Sequence, residues 1–149
     1  MKAIALLLLA CSASSPAFAA DGERIVKTAA YPPTQATVVV AEGDLEPRSI
    51  GSYSIRLYAK NDPAFPYDRF VTGLVRPRDG SIESIRIADI DDDGAPEIVV
   101  VMRSSGSGGY QSADAFHVHD QSLTLTKSVT ALDANADPVR ALAARRKAD

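Results

Sequence analysis

Apolar and polar residues alternate along short stretches of this chain. Ser52–Ala59 is the clearest case: Tyr53, Ile55, Leu57 and Ala59 fall on one side, Ser52, Ser54, Arg56 and Tyr58 on the other. A period of two predicts a half-buried β-strand. Thr37–Glu42, Phe70–Val75, Glu83–Ala88, Ala113–His119 and Leu123–Lys127 read as further strands. Glu97–Met102 differs, being apolar from Ile98 to Met102, which predicts a central strand covered on both faces. Turn signals separate these runs: Asn61–Pro66 with its two prolines, Pro77 with Asp79-Gly80, and Asp120-Gln121. Strands at intervals of roughly a dozen residues, with little helical signal, predict an antiparallel sandwich or barrel. One helix is expected, at the end. Asp137-Pro138 supplies an N-cap and a first-turn proline, and Val139–Lys147 carries Val139, Leu142 and Ala143 on one stripe. Arg145, Arg146 and Lys147 place cations in its last turn.

The start of the chain is of another kind. Lys2, an apolar run over Ala3–Ala13, and Ala17-Phe18-Ala19 form the layout of a secretory signal peptide over residues 1–19. The run is too short to span a bilayer. A rival reading uses Leu8-Leu9-Ala10-Cys11 as a lipoprotein box, which would anchor the same domain through a lipid on Cys11. Either way the protein is expected outside the cytoplasm, in the periplasm if the cell is Gram-negative. Residues 20–36, with Pro32-Pro33, read as an extended arm, and residues 37–149 as one domain.

Composition narrows the function. The net charge is −3, and losing Lys2 with the leader makes it −4. A mildly acidic domain is a poor non-specific binder of nucleic acid or anionic membrane. The chain has one cysteine, Cys11 in the leader, so the mature domain forms no disulfide and no thiolate zinc site.

Asp89–Glu97 concentrates carboxylates. Asp89, Asp91, Asp93 and Glu97 stand at loop positions 1, 3, 5 and 9, with Gly94 at position 6. That spacing suits calcium, although Val100 stands where a helix–loop–helix site needs a bidentate glutamate. The other reading is an Asp-stabilised turn between strands. The calcium reading would make the protein a calcium-dependent extracellular module that binds carbohydrate or protein. His117 and His119 share a strand face and could hold zinc with Asp114 or Asp120, or simply face solvent.

Ser104–Ser112 is the least structural stretch. Its glycines and serines offer nothing to a core, and Tyr110 stands near its end. A small mobile loop on a stiff strand is where function tends to sit. The catalytic loop motifs do not fit. A nucleophile elbow needs a glycine where Ser105 stands, and a dinucleotide fingerprint needs one at Gln111. A bland hairpin remains open, as does a secreted hydrolase with dispersed carboxylates.

Ile50–Tyr58, the turn Asp89–Glu97 with Ile98-Val99-Val100, and Ser105–Phe116 together resemble the periplasmic inhibitors of I-type (invertebrate-type) lysozyme. The likeness runs from about Thr37 to Lys127, and its most specific part is Ser107-Gly108-Gly109-Tyr110, with Ser105-Gly106 overlapping the same pattern. The resemblance implies a non-enzymatic β-sandwich of about seven or eight strands. It implies that this loop enters the active-site cleft of an animal host's I-type lysozyme. Ser107 and Tyr110 would make the contacts, and Gly108 and Gly109 would shape the tip. The resemblance also raises a homodimer.

Overall fold

The computed structural model describes residues 24–145. The leader with Cys11, and Arg146 and Lys147 of the expected helix end, lie outside the described residues.

Eight strands form two antiparallel sheets, followed by one short helix. The first sheet runs in chain order through β1 (Val26–Tyr31), β2 (Ala36–Glu42), β3 (Ile50–Tyr58) and β4 (Phe70–Asp79). The second runs through β5 (Ser81–Ala88), β6 (Glu97–Arg103), β7 (Gln111–His119) and β8 (Ser122–Leu132). Each sheet is a meander. The chain changes sheet once, at Gly80, and the sheets stack with β1 against β5 and β4 against β8.

The alternation in β3 holds from Ser52 to Leu57; after a register shift Tyr58, expected on the polar face, is buried beside Tyr67 and Phe70, and Ala59 lies past the strand. Tyr53, Ile55 and Leu57 point into the sandwich with Val38 and Val40, and meet Ile98, Val100, Met102 and Phe116 from the other sheet. Strand β6 is buried on both faces for a definite reason. Val99 and Val101 point away from the sandwich, into a second cluster closed by Leu142 of α1 (Pro138–Ala144). Burying a leucine side chain of this kind stabilises by about 1.5–3 kcal/mol. Asp137 caps α1 by accepting from the Val139 amide at 3.0 Å. The apolar side of the helix is Pro138, Val139, Ala141 and Leu142; Ala143, expected on it, is exposed, because the packed side is centred on Pro138 and Leu142 and the helical turn carries the next residue away from it.

Three further expectations are refined or changed. Within the expected extended arm, Val26–Tyr31 forms strand β1 and pairs with β2, and Pro32-Pro33 lie in the connecting turn. Pro77 does not close its strand. It pairs opposite Ser52 on β4, an edge strand, where a missing N–H is tolerated. Asp79-Gly80 is not a hairpin turn but the crossing between sheets, with Gly80 at φ 90°. Asp120-Gln121 does make the tight β7–β8 turn, both residues having positive φ. Among the described residues no helix is long and apolar enough to cross a membrane.

Polar links cross the sandwich. The Tyr53 hydroxyl donates to Asp114 at 2.7 Å, and Ser128 donates to the other carboxylate oxygen at 2.5 Å. Burial and the Asp114 charge push the Tyr53 phenol well above the usual tyrosine range, so it remains a donor. Glu42 of β2 accepts from the amide of Ile82 of β5 at 2.9 Å.

Candidate functional site

The loop Ser104–Tyr110 joins β6 to β7, the two central strands of the second sheet. The Ser104 amide donates to the Tyr110 carbonyl at 2.8 Å and closes its neck. A turn at the tip is closed by the Gly109 amide donating to Gly106 at 3.1 Å. Gly109 sits at φ 56°, in the left-handed region that favours glycine. The Tyr110 ring folds back over Gly108, where a Cβ would come within 2.4 Å of it. Ser105, Gly106, Ser107, Gly108 and Tyr110 are exposed, Tyr110 to 52%.

Far from being slack, the loop is fastened at its base. The Arg103 guanidinium donates to the carbonyl of Gly109 at 2.9 Å and of Ala134 at 3.3 Å, and pairs with Glu83 at 2.7 Å. Gln111, just past the loop, donates to Ala134 at 2.8 Å and Ala136 at 3.2 Å. Gly80 packs beneath: a Cβ there would lie 2.0 Å from the Arg103 carbonyl oxygen. Sequence reasoning missed this support. Nothing in the spacing of positions 83, 103, 111 and 134 announces that they meet; only the turn signal at Asp79-Gly80 was visible.

The exposed face of the loop offers hydroxyls, amides and one aromatic ring, and residues 104–110 contain no carboxylate, imidazole or side-chain cation. It can donate hydrogen bonds and fill a cleft.

The other candidates resolve differently. Asp89, Asp91 and Glu97 bring carboxylate oxygens within 4.8 Å of one another. Asp93 does not join them; it accepts from the Ala95 amide at 2.7 Å. Asp89 accepts from the Gly94 amide at 2.8 Å, and both contacts are those of an Asp-stabilised turn. Glu97, 1% exposed, accepts from the Ile90 amide at 2.9 Å and faces His117 at 3.3 Å.

His117 is therefore paired rather than simply solvent-facing, while His119 is exposed beside Asp120 at 3.3 Å. Asp114, considered as a zinc ligand, instead faces Tyr53 and Ser128, with Arg76 at 3.6 Å. Among the described residues no cluster of three potential metal ligands includes a histidine. The buried carboxylates Glu42, Glu97 and Asp114 all have structural partners.

Comparison with known proteins bears on the same loop-bearing domain. A family model described as periplasmic lysozyme inhibitor of I-type lysozyme matches residues 23–146. The crystal structure of such an inhibitor from Aeromonas hydrophyla is 44% identical, with TM-score 0.72, over 79% of this chain and 98% of that one. A crystal structure of the Aeromonas hydrophila inhibitor in complex with Meretrix lusoria lysozyme is 43% identical, with TM-score 0.73, over 82% of this chain and 98% of that one. No curated relative matches the chain.

Proposed function

The chain belongs to the family of periplasmic lysozyme inhibitors of I-type lysozyme, non-enzymatic proteins of the periplasm, and from that premise we propose that it blocks I-type lysozyme by inserting the Ser107-Gly108-Gly109-Tyr110 part of this loop into the enzyme's active-site cleft. The observation that carries this reading is the loop itself: exposed at Ser107 and Tyr110, and tied to a stiff strand through Arg103.

The chemistry is complementary. A lysozyme cleft holds a catalytic carboxylic acid and a second carboxylate. Hydroxyls of Ser107 and Tyr110 can donate to these groups without bringing another negative charge beside them. The glycine backbone of the tip lets it approach a cleft closely, while the Gly109 amide is held within the loop by Gly106. The Tyr110 ring is a rigid amphipathic anchor of the type enriched at interface hot spots. A loop fixed before binding loses little conformational entropy on docking. The excess of carboxylates on the mature chain speeds encounter with a cationic enzyme. In the periplasm such an inhibitor shields peptidoglycan from incoming host lysozyme.

The test is a titration of an I-type lysozyme with the mature protein, following peptidoglycan clearing, with a chicken-type enzyme in parallel. Stoichiometric loss of the I-type activity is expected. Full activity at excess inhibitor would refute the reading. Sedimentation of the same preparation settles whether the inhibitor acts as a monomer or as the homodimer that the resemblance raises.

A further inference from the structure

A second loop, Gly43–Ser49, joins β2 to β3 at the same end of the sandwich as Ser104–Tyr110. Its leucine, Leu45, is 104% exposed and sits at φ 63°. The left-handed region is unfavourable for a residue with a bulky side chain, and full exposure forgoes the gain of burial.

Both features sit in a loop held firmly from below. Arg78, its side chain 1% exposed, donates to the carbonyls of Pro47 at 3.1 Å, Arg48 at 2.8 Å and Ser52 at 3.1 Å. Glu46 accepts from the Ser52 amide at 2.5 Å and hydroxyl at 2.8 Å. Glu42 and Glu46 face the Arg78 cation at 3.8 and 3.7 Å. An exposed apolar side chain on so well-braced a loop is presented outward by the fold.

The two loops share one support. The Gly80 amide donates to the Ser49 carbonyl at 2.8 Å, and Gly80 packs on the Arg103 carbonyl. Arg103 in turn holds Gly109. Leu45 and Tyr110 are thus carried by adjoining, mutually braced loops.

We propose that Leu45 is a second anchor for the lysozyme, docking on the rim of the cleft that Ser107-Gly108-Gly109-Tyr110 enters. This rests on the inhibitory reading above. Ser49 of one loop and Arg103 at the base of the other both abut the buried Gly80, so the two loops rise side by side and one enzyme molecule can cover both. A side chain already fixed in position loses little freedom on binding.

The test compares wild type, Leu45→Ala, Leu45→Asn and Tyr110→Ala in the same lysozyme titration, with melting temperatures and sedimentation on each. Asparagine tolerates the left-handed backbone, so Leu45→Asn removes apolarity without adding strain. Both Leu45 variants are expected to raise the inhibition constant about tenfold, equivalent to about 1.4 kcal/mol, at an unchanged or higher melting temperature. Unchanged inhibition constants in both, with Tyr110→Ala impaired, would overturn the proposal. A shift in self-association without a change in inhibition would also overturn it, by assigning Leu45 to a second copy. Failure of the wild type to inhibit would instead strike the parent reading and take this one with it.

Discussion

Arg103 Nη1 donates to the Gly109 carbonyl at 2.9 Å, so the strand that launches the loop also grips its returning limb. The same guanidinium reaches Ala134 and Glu83, three directions that a planar fork can serve together. A lysine is a point charge and cannot. Arg103→Lys is therefore expected to raise the inhibition constant tenfold or more. The pair with Glu83 is partly exposed, so the stability change should stay within about 1 kcal/mol. Inhibition assays beside thermal melts check this. A melt that collapses, or an inhibition constant that does not move, would remove Arg103 from the role of loop-positioning residue.

Tyr110 and Ser107 test the contact itself. Tyr110→Ala should weaken inhibition by about 2 kcal/mol or more, as truncation of a central anchor commonly does. Ser107→Ala loses one donor and should cost about 0.5–1.5 kcal/mol. Both side chains are exposed, so melting temperatures should hardly change. An unaltered inhibition constant for Tyr110→Ala would move the contact elsewhere on the molecule.

Gly80 connects the two loops sterically. A Cβ there would lie 2.0 Å from the Arg103 carbonyl oxygen, a backbone atom that cannot swing aside, and its φ of 90° is closed to other residues at low cost. Gly80→Ala should destabilise by about 2 kcal/mol or more, within the range of strained-backbone substitutions. Denaturant unfolding reads it directly. Wild-type stability in the variant would mean that the crossing relaxes easily and does not brace the loops.

Much of this architecture was legible because burial is periodic. Tyr53, Ile55 and Leu57 announced their face, and the unbroken run Ile98–Met102 announced a strand covered twice. The covering element, Leu142 on α1, was visible through the Asp137-Pro138 cap. Strand β1 was hidden because the adjacent Pro32-Pro33 mimics a linker, and because an edge strand shows a weaker pattern. The Ser107–Tyr110 loop stood out by composition and by resemblance. Its support did not: Glu83, Arg103, Gln111 and Ala134 are far apart in sequence and ordinary in type. Leu45 was equally silent, since a single leucine in a polar loop carries no signal until its φ and exposure are known.

Glu46 makes the Leu45 loop sensitive to acid. Its carboxylate accepts from both the amide and the hydroxyl of Ser52, and these bonds, aided by Arg78, hold its pKa below the usual carboxylate value of 4.5. A depressed folded-state pKa means that the folded protein favours the charged form more than the unfolded chain does. The stabilisation is then fully present above the ordinary carboxylate pKa and is lost as pH falls through the lowered value. Glu46→Gln has no charge to lose. Its melting temperature should lie below that of the wild type at neutral pH, and the gap should narrow as pH falls below the ordinary carboxylate value of 4.5. Melts of the two proteins across that range decide the matter. A gap that is constant with pH would mean that Glu46 acts through packing alone, and that the ionised carboxylate does not fasten the loop.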